Sequence, residues 1–166
     1  MGRIVELANL PAVVDAHRER KDRIAFTNGC FDLLHIGHVR YLKEARSLGD
    51  VLFVGLNSDE SVRTLKGPNR PLIPEDERAE MLASLGAVDY VIVFGERTAD
   101  TLIEMVRPDI YVKGGDVDPA LVPEAPTVRR HGGAIVTTAK VEAHSTSNIV
   151  ERVLSVYATQ TPGQKR

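Results

Sequence analysis

Two histidines three residues apart, His35 and His38, close the segment Thr27-Asn28-Gly29-Cys30-Phe31-Asp32-Leu33-Leu34-His35-Ile36-Gly37-His38. Apolar residues before it read as a strand, and a helical pattern begins at about His38. A helix start carries unpaired N–H groups and partial positive charge, so it attracts phosphate, and Gly29 and Gly37 let the backbone come close to an anion. Imidazoles at this spacing point the same way across one turn. They would bind the α- and β-phosphates of a triphosphate and stabilise charge that develops there during attack. The plainer alternative is that one histidine caps the helix and the other lies on the surface; the strand-to-helix setting favours phosphate.

Further cations and hydroxyls recur in loops after strands. Lys66 opens Lys66-Gly67-Pro68-Asn69-Arg70, where two cations either meet an acceptor phosphate or the triphosphate, or are simply solvated. Arg78 lies in a helix opened by Pro74 and Glu75, and its guanidinium either forks onto a phosphate or pairs with Glu75 or Glu80. Lys113-Gly114-Gly115-Asp116 permits tight backbone passage beside a ligand, with Asp116 able to accept from a ribose or base; a bare β-to-α turn is the other reading. Ser145-Thr146-Ser147-Asn148 precedes the last helical stretch and offers hydroxyls and N–H groups to phosphate while also serving as an N-cap. Asp32 would orient the acceptor or a water on Mg²⁺, and Cys30 reads as a small buried filler.

The elements that must position these residues follow from periodicity. Residues 23–27, 51–57, 90–94, 110–113 and 134–138 are short Val- and Ile-rich runs that read as strands. Helical patterns occupy 10–20, 38–48, 59–65, 75–85, 98–106, 122–131 and 147–157. This alternation predicts an α/β fold, one Rossmann-like doubly wound domain over residues 1–158 with a five-stranded parallel sheet, and a ligand at the carboxyl ends of the strands. Residues 159–166 read as a polar, frayed tail.

Composition narrows the partners. A net charge of −2 with dispersed Lys and Arg predicts no nucleic-acid partner and favours a small molecule. The lone Cys30 makes disulfide and zinc chemistry unexpected, and no metal-ligand cluster is assigned. No apolar run is long enough for a membrane span, and the start lacks a signal core, so a cytoplasmic protein is expected.

The ordered set of motifs resembles the HxGH nucleotidyltransferases, which include cytidylyltransferases and phosphopantetheine adenylyltransferase. Asn28 to Asp32 with His35-x-Gly37-His38 carries the first likeness. Gly55-Leu56-Asn57-Ser58-Asp59, Leu65 to Pro68, Arg70-Pro71, Asp76-Glu77-Arg78, Val112 to Asp116 and Ser145 to Ile149 extend it toward the adenylyltransferase half of bacterial ADP-heptose synthases. Class I aminoacyl-tRNA synthetases share the His35–His38 motif, but the chain has neither their second signature loop nor a basic RNA-binding region.

The resemblance implies transfer of AMP from ATP, with Mg²⁺, to a small phosphorylated acceptor, foremost D-glycero-β-D-manno-heptose 1-phosphate. It implies His35, His38 and Lys66 as catalytic residues. Thr27, Asn28, Gly29, Phe31, Gly37, Lys113, Gly115, Asp116, Ser145, Thr146 and Ser147 would bind the nucleotide, and Asp32, Arg70 and Arg78 the acceptor. Many members pair as homodimers, although no heptad or apolar stripe in this sequence demonstrates it. Alternatives are CTP-dependent transfer to glycerol 3-phosphate or a related alcohol phosphate, adenylylation of FMN or another sugar phosphate, and a nucleotide sensor without turnover. The stretch Val122-Pro123-Glu124-Ala125-Pro126-Thr127 and Glu142-Ala143-His144 depart from the pattern, so the acceptor pocket is expected to differ.

Overall fold

The computed structural model describes residues 1–115, 117–138 and 146–158. Strand and helix alternate along them as β1 (Arg3–Ile4), a 3-10 turn at Leu7–Asn9, α1 (Leu10–Glu19), β2 (Ile24–Gly29), α2 (Ile36–Ser47), β3 (Val51–Asn57), α3 (Asp59–Lys66), α4 (Glu75–Ala83), β4 (Tyr90–Phe94), α5 (Asp100–Val106), β5 (Ile110–Gly114), α6 (Ala125–Arg130), β6 (Ala134–Thr138) and α7 (Thr146–Tyr157). The six strands are parallel, in the order β1-β4-β3-β2-β5-β6. The expected count of five is therefore corrected to six. The added strand, β1, pairs only Arg3 with Tyr90 and Ile4 with Val91 at the sheet edge, and two exposed residues carry no periodicity to read.

Alternation along the strands explains the two layers. Ile24, Phe26, Val51, Phe53, Ile92, Phe94 and Tyr111 face one core with Leu10 and Val14 of α1, Leu102, Ile103 and Val106 of α5, and Val128 of α6. Ala25, Leu52, Val54, Leu56, Val91, Ile110 and Val112 face the other, with Leu42 and Ala45 of α2 and Ala79, Leu82 and Ala83 of α4. All seven residues of β3 are buried, as a central strand covered on both faces requires. A Cβ on Gly55 in that strand would lie 3.0 Å from Leu102, 3.1 Å from Phe26 and 3.2 Å from the Cβ of Asn28, so the two strands pack through the missing side chain. By contrast, α7 buries none of its residues.

From β2 the chain moves to β3 and β4 on one side, then crosses back to β5 and β6 on the other. The carboxyl ends of β2 and β5 therefore flank a topological switch point, where open α/β sheets leave a crevice for ligands. Among the described residues, no helix is long and apolar enough to cross a membrane.

Candidate active site

The loop after β2 turns sharply at Phe31, whose φ of 44° lies in the left-handed region that a bulky side chain rarely occupies. The turn brings the Phe31 ring back over Gly29, where any Cβ would sit 3.1 Å from Cε2, and edge-on to His38 at 5.3 Å between ring centroids. His35 then caps α2, its Nδ1 accepting the Gly37 N–H at 3.1 Å, and that bond leaves the ring's proton on Nε2. One turn on, His38 stacks on His35 with centroids 3.8 Å apart and planes 26° apart. The plainer reading of the pair thus holds for His35, which caps the helix, while His38 is stacked against it and half-buried instead of lying on the surface.

His38 is not satisfied by this packing. Its Nδ1 is buried without a hydrogen-bond partner among the described residues, and burial, with a smaller contribution from the charge of His35, pushes its pKa down to about 4. A neutral imidazole with an unmet nitrogen is prepared for a ligand that supplies the missing bond.

This corner lines a cleft of about 720 Å³, a size suited to a nucleotide-sized ligand. Asn28, Gly29, Cys30, Phe31, Asp32 and His38 line it from the β2 side, Asn57, Val62, Leu65, Lys66 and Arg70 from β3, α3 and the loop that follows. Arg97 and Thr98 come from the loop after β4, Lys113, Pro123 and Glu124 from β5 and its loop, and Thr146 and Ser147 from the start of α7. Among the described residues, the cations Lys66, Arg70, Arg97 and Lys113 face two carboxylates, Asp32 and Glu124, a balance that suits a polyanion.

Several expected residues stand behind the cleft instead of on its wall. Thr27 is fully buried and bonds the hydroxyl of Tyr41, which donates to Val112 O at 2.8 Å and ties β2, α2 and β5 together. Gly37 is buried within α2, and neither it, His35, Gly115 nor Arg78 contributes to the lining. Asp116 and Ser145 lie outside the described residues.

Arg78, expected either on a phosphate or in a surface pair, is fully buried. It donates from Nε to Ile73 O at 2.9 Å, from Nη1 to Cys30 O at 2.5 Å and Asn57 O at 2.9 Å, and from Nη2 to Asp59 Oδ1 at 2.7 Å. One guanidinium thereby joins the β2 loop, the end of β3, the start of α3 and the approach to α4. Asp32 does similar work on the cleft side. Its carboxylate accepts from Arg70 Nη1 at 2.6 Å and from the N–H groups of Leu72 and Ile73 at 2.7 and 3.1 Å, so the loop carrying Arg70 is fastened to the β2 loop.

Across the switch point, Asn28 Oδ1 accepts from Lys113 Nζ at 2.9 Å and from Tyr111 Oη at 2.6 Å. Burial holds the Lys113 pKa below its ordinary value, and the opposing charge of Glu124 offsets this only in part. Glu124 itself, 3% exposed, has Oε2 3.6 Å from Lys113 Nζ. Sequence reasoning read the stretch around Glu124 as part of a helical pattern and as a departure expected to alter the acceptor pocket, without singling out the acid. Its flanking prolines hid an acid that the fold turns inward, Thr98 was read as the start of a helix, and Arg97 was not singled out.

Comparisons with known proteins agree with this geometry. The sequence model of the cytidylyltransferase-like family matches residues 26–152. The chain is 53% identical over 149 residues to the Bifunctional protein HldE of Syntrophotalea carbinolica, covering 90% of this chain and 30% of that protein. It is 48% identical over 158 residues to the Bifunctional protein HldE of Geobacter metallireducens, covering 95% and 32% respectively. The chain thus spans about a third of the length of these curated relatives. A solved structure, the lipopolysaccharide core biosynthesis protein from Thermoplasma volcanium GSS1, matches with a TM-score of 0.63 at 30% identity, over 73% of this chain and 99% of that one. With the family's motifs gathered at the switch point of its sheet and most of its length matched, the chain belongs to the cytidylyltransferase-like family of nucleotidyltransferases.

Proposed function

We propose that the protein transfers AMP from ATP to a sugar 1-phosphate, D-glycero-β-D-manno-heptose 1-phosphate, giving ADP-heptose and pyrophosphate. The observation that carries this reading is the stacked His35–His38 pair at the start of α2, with the Nδ1 of His38 unmet among the described residues and facing a cation-rich cleft. The relatives named Bifunctional protein HldE support the heptose side of it.

A phosphate oxygen of the acceptor attacks the α-phosphorus of ATP, the bond to the bridging oxygen of pyrophosphate breaks, and the electron pair leaves with it. The nucleophile is already an anion, so no side chain has to remove a proton. The work left to the protein is alignment and neutralisation of charge. His38 takes a phosphate of the triphosphate from the cleft wall, aided by the N–H groups at the start of α2, and His35, stacked on it as the helix cap, positions its ring. Lys66 follows the leaving pyrophosphate, and Thr146 and Ser147 at the start of α7 hold the phosphates from the facing side.

The described residues contain no cluster of three or more His, Cys, Asp or Glu able to hold a metal, and Asp32 in the cleft is engaged by Arg70. Mg²⁺ supplied with ATP would add neutralisation of the phosphate charge to that of Lys66 and the helix starts. We place the reaction in the cytoplasm, where that nucleotide pool is kept.

The test is pyrophosphate release with Mg²⁺, crossing ATP and CTP against heptose 1-phosphate, glycerol 3-phosphate and FMN. Release with ATP and heptose 1-phosphate, at least tenfold faster than with any other pair, is expected. A different preferred pair would replace the assigned substrates, and binding of ATP without release would make the protein a sensor.

A further inference from the structure

We infer that Lys113 and Glu124 together read a hydroxyl group of the bound substrate, and that this part of the cleft rejects a second phosphate. The assignment rests on the transferase reading of the cleft and adds to it a chemical class for one subsite.

A hydroxyl group both donates and accepts, so it is matched by a donor and an acceptor standing side by side. Lys113 and Glu124 supply that pair from two places in the chain, the end of β5 and the residue before α6, and both line the cleft. The ammonium of Lys113 has three N–H groups, and the hydrogen bond found for it is to Asn28 Oδ1. Glu124 Oε1 takes the Ala99 N–H at 3.4 Å, while Oε2 is buried with no hydrogen-bond partner among the described residues. The 3.6 Å between Nζ and Oε2 is an ion pair held just beyond hydrogen-bond length. An oxygen within bonding distance of both atoms accepts from Nζ and donates to Oε2, and it removes the cost of a buried acceptor left unmet.

Phosphate does not meet this demand. Its oxygens only accept, so it would compete for Lys113 and face the carboxylate of Glu124 with like charge. Lys66 and the backbone N–H groups of the two helix starts offer donors, and His38 offers one from its ring with no carboxylate beside it among the described residues, so those are the places for phosphate. A sugar phosphate or a nucleoside carries both kinds of group, and two sources can provide the hydroxyl: the ribose of the nucleotide or the acceptor sugar.

Calorimetric titration separates them without relying on turnover. Wild type, Glu124→Gln and Lys113→Met, each checked for the native far-UV spectrum and a cooperative melt, are titrated with ATP, 2′-deoxy-ATP and 3′-deoxy-ATP. They are then titrated with heptose 1-phosphate, its single-deoxy analogues and the corresponding bisphosphate. One deoxy change is expected to weaken binding to wild type about tenfold and to have less than about a threefold effect in either variant, as a charge-assisted hydrogen bond implies. Its position on ribose or on the acceptor names the source. The bisphosphate is expected to bind Glu124→Gln about tenfold more tightly than wild type. Equal penalties in wild type and both folded variants for every hydroxyl would overturn the inference, as would wild type binding none of these ligands. Absence of pyrophosphate release from a wild type that shows the hydroxyl-specific penalty would instead reject the transferase reading and leave the subsite standing.

Discussion

Arg78 and His38 both pack against the loop that follows β2, yet every polar atom of one is engaged and the other keeps a nitrogen unmet. Arg78 is fully buried, and its three nitrogens reach three carbonyls and a carboxylate. His38 stacks on His35 and meets Phe31 edge-on, but its Nδ1 has no partner among the described residues. The difference separates scaffold from contact surface. A cation whose nitrogens are all engaged by the protein fixes backbone, whereas a group with spare bonding capacity in a cleft is reserved for what enters it.

Removing the engaged group gives the largest expected effect. Arg78→Met would leave the Asp59 carboxylate and three carbonyls without their donor and lower the free energy of unfolding by about 3–5 kcal/mol, measured by urea denaturation. A loss below about 1 kcal/mol would show that the loop holds without it. His38→Ala should do the reverse: turnover falls about 10²-fold or more while the melting temperature stays close to wild type. Unchanged turnover would remove His38 from the phosphate site.

Asp32 lies between these extremes, since it lines the cleft and also fastens the loop of Arg70. Asp32→Asn should raise the KM for the acceptor about tenfold with a smaller change in kcat, because loosening the loop weakens binding before it disturbs the reacting phosphates. A fall confined to kcat would place Asp32 at the chemistry.

The smallest effect is on stability against pH. The His38 pKa is lowered from 6.5 to about 4 in the folded protein, so between those values the unfolded chain binds more protons. The contribution is complete above about pH 6.5 and is lost as pH falls through the window toward 4. Melting curves from pH 7 to 4 should therefore drop more steeply for wild type than for His38→Asn. Bound triphosphate should reverse the trend by drawing a proton onto His38, seen as proton uptake in buffers of different ionisation enthalpy. Parallel melting curves would mean that His38 titrates as an ordinary surface histidine.

Most of the architecture was legible because buried parallel strands are written as local apolar runs. Residues 51–57, 90–94 and 134–138 were expected as strands and coincide with β3, β4 and β6. β1 was not, because a two-residue edge strand is defined by its partner β4 and not by its own pattern. At the cleft, His35 and His38 announce themselves through spacing at a helix start, which is local information. The roles of Arg78 and Asp32 depend on residues up to 48 positions distant, as in the bond from Arg78 to Cys30 O, and no window of sequence contains such a partnership. Glu124 was hidden for the same reason, since its neighbour in space is Lys113 and its neighbours in sequence are prolines and apolar residues.

Gly55 gives the cleft its gauge. Its absent side chain is the space into which Asn28, Phe26 and Leu102 settle, with 3.2 Å from the would-be Cβ to the Cβ of Asn28. Asn28 in turn holds Lys113 and Tyr111 on the far side of the switch point. One added methyl group in the middle of the sheet would thus wedge β2 by a few tenths of an ångström and carry that displacement to the cleft wall. The spacing between the two halves of the site is set from inside the core, by a part that touches no ligand.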